Sequence, residues 1–373
     1  MINDTLLHLV ASGIISTSPL MVSNFRRITL RDCSFAHYFL SVLFNCADSD
    51  CFLYRSHFKH NLHTSILLSS NHYENHIFNE YNTFDIHETN VFQDCIFRDI
   101  HSNSDCAGIL IERSVNLSLN RCQFINLRSY YPRFGATAVY ILHGKYIEIK
   151  CNKFWNCSSS HGASYGIFST PSMTFVIHSL DFEYNSEGFV GILSTQSHSS
   201  YLGGWTQFTC SHNNLSNVIW NGNAGLFYIL TIQSVNQTIR YCVFSDSSTT
   251  HLILTHETPI YSIGSCVFNN ISTSGWFHGP ISNIFESLFI EVTKSQIGYN
   301  PFSMYGCIFD RSYDYYGFPS NAFHNCMFSQ NPITYNPPTA DCNMVIQYEP
   351  TMLVFYPKKS LFLHFFQLEL VNI

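Results

Sequence analysis

Leu117-Ser118-Leu119-Asn120-Arg121-Cys122-Gln123-Phe124-Ile125-Asn126 is the stretch whose reading decides the fold. Leu117 and Leu119 alternate as on a half-buried strand, and Cys122 and Phe124 alternate in the same way. The step from 119 to 122 has the wrong parity for one straight strand, so a bend lies between them. The same frame returns along the chain. Cys-x-Phe triplets end at Phe35, Phe97, Phe124, Phe244, Phe268, Phe309 and Phe328, and looser copies end at Phe58, Phe78, Phe154, Phe182, Phe208 and Phe289.

With the Cys position as zero, Phe stands at plus two and an apolar residue at minus three. That column reads Leu30, Leu53, Tyr73, Phe92, Leu119, Ile149, Ile177, Ile239, Ile263, Ile284, Met304 and Phe323. Only Gly203, in the copy ending at Phe208, interrupts it. A return every 19 to 40 residues, roughly, is the mark of a repeat architecture. Each unit shows one strand, a corner, then a short strand that carries Cys and Phe inward.

A third strand follows a polar loop. It reads Ala107-Gly108-Ile109-Leu110-Ile111, Ala136-Thr137-Ala138-Val139-Tyr140, Tyr165-Gly166-Ile167-Phe168, Val190-Gly191-Ile192-Leu193 and Ala224-Gly225-Leu226-Phe227. Small residues first, then bulky ones, suit a crowded corner followed by a strand. No helical period separates the strands, which excludes a βαβ repeat. The L-x-x-L-x-L signature with Asn is absent, which excludes a leucine-rich horseshoe.

The fold expected is all-β: a single-stranded parallel β-helix solenoid of about 12–13 coils, stacked about 4.8 Å apart into a rod of roughly 60 Å. Phe would stack on Phe and Cys on Cys. Asn or Asp two residues after Phe, at Asp99, Asn126, Asn156, Asp246 and Asn270, suits a left-handed turn residue. Stacked from coil to coil, those side chains would bridge neighbours. The expected organisation is an N-terminal cap or first partial coil over 1–24, the β-helix over 25–336, and a C-terminal cap over 337–373 after Pro337-Pro338.

On these residues the chain resembles the right-handed parallel β-helix, or pectin-lyase-like, superfamily. More narrowly it resembles the Cys-x-Phe repeat β-helix proteins of parabasalid protists. The resemblance spans residues 25 to 335 and is specific for fold. It implies an elongated domain and leaves activity open, since one fold hosts many functions.

Composition agrees with a stacked interior. The chain has 33 Phe and 22 Tyr among 373 residues, while charged residues are only 12%. The net charge of −7 and the lack of a basic stripe exclude a nucleic-acid partner held through phosphates. Of the 14 cysteines, seven sit in the inward Cys-x-Phe frame and read as small core filler. Cys46 with Cys51 and Cys151 with Cys157 have the spacing of local disulfides. No CxxC pair points to zinc or thiol exchange.

Sequons at Asn3, Asn116, Asn156, Asn214, Asn236 and Asn270 have meaning only in a secretory compartment. A cell-surface or secreted location fits them, although the first residues, with Asp4 where a basic region belongs, do not form a standard signal peptide. Leu361 to Ile373 is apolar but too short to span a bilayer. It reads as part of the C-terminal cap, with peripheral membrane contact as the sharper alternative.

Chemistry is sparse. Asp48 with Asp50, Asp85 with Glu88, and Asp310 with Asp314 are pairs within loops, as surface turns commonly make. His57, His60 and His63 share a three-residue spacing that alternates faces on a strand, so no metal site is expected, and no cofactor. The aromatic loops Tyr130-Tyr131-Pro132-Arg133-Phe134 and Tyr313-Asp314-Tyr315-Tyr316 extend beyond the core columns. Tyr130, Tyr131, Phe134, Tyr313, Tyr315 and Tyr316 are therefore the candidate contacts for a glycan or a protein partner. The function expected is a non-catalytic surface or scaffold protein. The alternative is a carbohydrate-active enzyme, a polysaccharide lyase or glycoside hydrolase, whose carboxylates would converge from adjacent coils.

Overall fold

In a computed structural model the chain is all-β, with parallel strands in stacked sheets. The described residues are 2–7, 10–12, 20–22, 25–45, 50–68, 89–104, 106–111, 115–130, 136–141, 144–159, 167–169, 172–178, 181–183, 193–195, 207–211, 214–216, 225–230, 237–256, 262–278, 283–293, 303–311 and 322–328. Of these, 2–26, 44–45, 115, 144–145, 159–238, 249–256 and 274–278 are described as backbone only.

The quoted stretch forms Val115–Asn120 and Gln123–Ile125, followed by Arg128–Ser129 and Val139–Ile141. Each strand pairs with its equivalent in the preceding and following tiers where those are described. Leu119 faces Phe92 and Ile149, and Phe124 faces Phe97 and Phe154. Repetition of this step builds a 13-stranded and a 14-stranded sheet, with a 7-stranded sheet from the third strands. The chain visits the sheets in turn, and every recorded pairing is parallel. This arrangement is compatible with a β-helix-like fold.

The predicted bend lies at minus one. Asp32, Arg55, Asp94, Arg121, Cys151, Tyr241, Ser265, Glu286 and Asn325 all have positive φ there, as does Gly306. A left-handed non-glycine residue costs on the order of 1–2 kcal/mol. The backbone ladder continues through the corner regardless: Asp32 N–H donates to Tyr54 O at 3.0 Å and Arg55 N–H to Gln93 O at 2.9 Å. A second left-handed residue ends the Phe strand. It falls on Asp99, Asn126, Asn156, Asp246 and Asn270, the predicted Asx positions, and on His37, His60 and Glu291. The Asx side chains also bridge tiers: Asn126 Nδ2 donates to Asp99 Oδ1, Asn156 Nδ2 to Asn126 Oδ1, and Asn270 Nδ2 to Asp246 Oδ1, each at 2.8 Å.

Phe35, Phe58, Phe97, Phe124 and Phe154 stack with centroids 4.9 to 5.4 Å apart. Phe244, Phe268, Phe289, Phe309 and Phe328 continue the pattern at 4.8 to 5.1 Å. The separation equals the parallel strand spacing, so register and ring stacking reinforce each other. The minus-three column from Leu30 to Met304 is buried wherever its side chains are described, and Phe323 is half-buried.

Two copies of the frame require correction. Phe78 lies outside the described residues, and the column passes directly from Phe58 to Phe97, with Asp50–Tyr54 paired to Thr89–Gln93. Phe208 is not a plus-two residue: it lies in the first sheet, beside Phe175. The residue in register with Phe182 and Phe244 is Leu215, and Cys210 stands at minus three beside Ile177 and Ile239. Gly203, which lies outside the described residues, therefore never belonged to the column. The frame slipped by seven residues because Leu replaces the marker Phe. Conversely, Leu6 pairs with Leu30 and Ala11 with Phe35, so strands within 2–22 form a tier that no Phe marks. One copy gained and one lost leave thirteen tiers among the described residues.

The cysteine reading also sharpens. Cys33, Cys95, Cys122, Cys242, Cys266 and Cys307 are buried thiols outside any disulfide, but they are more than filler. Cys33 Sγ donates to Arg31 O at 3.3 Å, Cys95 Sγ to Gln93 O at 3.4 Å, and Cys242 Sγ to Arg240 O at 3.3 Å. Where Ser replaces Cys the bond persists: Ser56 Oγ donates to Tyr54 O at 3.1 Å and Ser287 Oγ to Phe285 O at 2.9 Å. Position zero in these tiers thus carries a small inward donor for the carbonyl that ends the preceding strand. The two local disulfides are not formed, since neither Cys51 nor Cys157, both buried, is in a disulfide. Cys151, in the left-handed corner, is disulfide-bonded elsewhere.

The third strand appears as expected at Ile109–Ile111, Val139–Ile141 and Ile167–Ser169, and Ile66–Leu68 adds a copy that the sequence pattern did not mark. A Cβ on Gly108 would sit 2.3 Å from Ala138 O, which explains the small residue at this corner. Later, Val243–His256 and Val267–His278 run through the corner as continuous strands.

Candidate interaction face

Beyond each Asx or His corner the next residue turns inward. Tyr38, Asn61, Ile100, Leu127 and Cys157 are buried at that place. The residue after it must then face out, and tier-to-tier bonds hold it there. Leu62 N–H donates to Tyr38 O at 2.8 Å, His101 N–H to Asn61 O at 3.1 Å, and Arg128 N–H to Ile100 O at 2.9 Å. The outward column so formed is Phe39, Leu62, His101 and Arg128, one residue from each of four successive tiers.

Two neighbours widen the column into a strip. Leu40 follows Phe39, and Tyr130 is held by its N–H to Ser102 O at 2.9 Å. Phe39 is 46% exposed, Leu40 39%, Leu62 47% and Tyr130 44%. The Tyr130 ring meets His101 edge-on at 6.4 Å. Beside the strip, the exposed His37 and His60 rings stack at 5.0 Å. The strip therefore joins apolar bulk with ring edges and nitrogen donors, a composition suited to partner contact.

Burial favours the neutral forms of the groups behind the strip. Burial pushes Tyr38 up to about 12. His63 lies below the ordinary histidine range because it is buried, and its Nδ1 is 3.2 Å from Ser41 Oγ. The three histidines of the sequence pattern diverge accordingly: His57 lies in the Phe strand, His60 stacks on His37, and His63 meets Ser41. Among the described residues no group of three His, Cys, Asp or Glu could hold a metal ion.

Carboxylates fall into structural pairs. Arg55 grips Asp32 through Nε and Nη2 at 2.5 and 2.7 Å, and Arg121 grips Asp94 in the same way at 2.6 and 2.7 Å. These four residues form an alternating charge ladder along the minus-one corner. Asp50 accepts from Thr89 N–H at 2.9 Å and Asp310 from Glu291 N–H at 2.7 Å. Asp48, Asp85, Glu88 and Asp314 lie outside the described residues, so their loop pairs are not placed.

Of the predicted contacts, Tyr130 stands on the strip. Tyr131, Phe134, Tyr313, Tyr315 and Tyr316 lie outside the described residues, as does the 337–373 tail. Sequence reading missed Phe39, Leu40 and Leu62. Counting four residues onward from Phe35 and Phe58 would have marked Phe39 and Leu62 as outward. No helix among the described residues is long and apolar enough to cross a membrane. The chain matches no protein-family model, no curated protein and no solved structure.

Proposed function

We propose that the chain is a right-handed parallel β-helix that serves as a non-catalytic scaffold, binding a protein or glycan partner through a lateral face. The right hand is part of this proposal and is supported by a general tendency: crossovers between parallel strands of one sheet are right-handed in about 98% of cases. One observation carries the function: Phe39, Leu62 and Tyr130 are each exposed by more than two-fifths on one strip built from successive tiers. Large apolar side chains grouped on a surface mark contact sites more often than chance exposure. A cell-surface or secreted setting is part of this reading and would give the sequons a use.

A pectin-lyase-like enzyme would need carboxylates from adjacent tiers free to meet a substrate. Asp32 and Asp94 face arginines, while Asp99 and Asp246 face asparagine amides. This favours the scaffold over the carbohydrate-active alternative.

The test compares wild type with a Phe39→Ser, Leu62→Ser, Tyr130→Ser variant. Binding of each fluorescently labelled protein is measured on immobilised glycans and on intact cells of the source, before and after protease treatment. The variant should melt at the wild-type temperature yet bind about tenfold more weakly or worse. Equal binding by the two proteins would sink the proposal. A parallel uronate-polymer cleavage assay with calcium titration reads the enzyme alternative directly.

A further inference from the structure

Charge is unevenly placed along the outer side of the 14-stranded sheet. Lys59 and Arg98 stand at plus three, one tier apart and in direct register. Both are half-buried, and among the described residues no carboxylate pairs with either. Arg98 Nε is buried without an acceptor. Like charges directly opposite each other destabilise a sheet. At minus one the same two tiers carry Arg55 and Asp94, members of the alternating ladder. Charges are thus matched at that corner, while two cations stand unopposed at plus three. Asp99, next to Arg98, accepts from Asn126 Nδ2 instead.

The opposite sign gathers in the later tiers. Asp246 and Glu291 are exposed at plus four. Asp310, at plus three of the following tier, accepts Glu291 N–H at 2.7 Å and lies 3.9 Å from Arg311. Among the described residues no cation pairs with Glu291. The two clusters are symmetrically placed. In the main succession of the sheet, His57–Lys59 is third from one end, and Leu288–Val292, which carries Glu291, is third from the other. Ile96–Arg98 is fourth from its end, and Val267–His278 is fourth from the other. A two-fold axis through the middle strand, Asp181–Glu183, sets Lys59 of one copy opposite Glu291 of the second. Arg98 then falls between the tiers of Asp246 and Glu291. At the axis Lys153 is in register with Asp181, so both signs are present there.

We infer that the chain forms an antiparallel two-fold dimer along this edge, the basic tiers of one copy lying against the acidic tiers of the other. Isologous pairing makes each contact twice. Charge fixes the direction, since a parallel pair would set Lys59 against Lys59 and Glu291 against Glu291. A stable interface buries about 800 Å² per partner. Along a rod of roughly 60 Å this needs a strip about 13 Å wide, the span of four extended residues. Plus three to plus seven supplies that width and includes Phe39 and Leu62. The second copy is thus a protein partner for the lateral side proposed above, and the inference rests on that reading in part. Self-association is measured without glycan or cells, so the two can fail separately.

Sedimentation velocity on the whole chain is the experiment. Wild type should sediment as two copies at low salt and associate roughly tenfold more weakly at high salt. Lys59→Glu and Glu291→Lys should each weaken self-association by roughly tenfold or more. Both should melt as wild type does, since neither residue is in the core. Each variant repels its own copy and attracts the other. An equimolar mixture should therefore restore the two-copy species, as should both substitutions in one chain. A monomer at low salt, a dimer that neither substitution weakens, or no recovery on mixing would overturn the inference.

Discussion

Asn152 Oδ1 accepts the backbone N–H of Cys122 at 2.7 Å, and Asn152 Nδ2 donates to Leu119 O at 3.0 Å. One buried amide thereby satisfies both backbone groups at the corner of the tier before it. Asn152 stands at position zero, where other tiers use Cys or Ser. Removing it leaves an unpaired buried donor and an underused acceptor. Asn152→Ala should therefore lower stability by about 1–3 kcal/mol. Urea unfolding followed by circular dichroism measures this, and an unchanged midpoint would show that the corner does not need the amide.

Phe124 is fully buried between Phe97 and Phe154, with centroids 5.0 and 4.9 Å away. Its truncation to Ala opens a void that the stacked backbone cannot collapse around. The cost should be on the order of 3–5 kcal/mol. Phe39→Ala, at an exposed position, should stay within about 0.5 kcal/mol of wild type. Similar losses for both would contradict the division into inner and outer columns.

Asp94 supplies a pH dependence. Burial alone would raise its pKa, but the hydrogen bonds from Arg121 and Gln93 and the charges of Arg121 and Arg55 outweigh this and hold it below 3.8. A carboxylate depressed in the fold stabilises it above the unfolded-state pKa, and that contribution is lost as pH falls through the folded value. Thermal melts should thus show stability declining below about pH 4. Asp94→Asn should start less stable at pH 7 and show a shallower acid decline. An identical acid slope in the two proteins would rule out this pair as its source.

The inward thiols titrate in the opposite direction. Burial raises Cys157 and Cys307 to about 12 and carries Cys122 and Cys266 well above 9.0. A group raised in the fold stabilises it below the unfolded pKa, and that contribution is lost as pH rises towards the folded value. Stability should accordingly fall from about pH 9 upward. Iodoacetamide at pH 8 should label the half-buried Cys326 in native protein, and Cys122, Cys157, Cys266 and Cys307 only after unfolding. Peptide mass mapping reads this, and rapid native labelling of Cys122 would refute the buried corner.

The sequence by itself determined what each tier imposes on its own backbone. The bend between Leu119 and Cys122, the left-handed Asx residues and the inward pair at zero and plus two follow from side-chain parity and local turn chemistry. Repetition amplified those local signals until they were legible. The tertiary structure alone decided which tier lies on which. It stacked Phe58 on Phe97, replaced Phe208 by Leu215, and gave the Leu6–Ala11 segment a tier of its own, because lateral pairing depends on backbone register rather than on a marker residue. It also decided what faces outward together. Phe39 and Tyr130 are 91 positions apart in number, and Lys59 and Arg98 are 39 apart. Their neighbourhood exists only once the strands pair, since exposure is a property of the stack and not of any one turn.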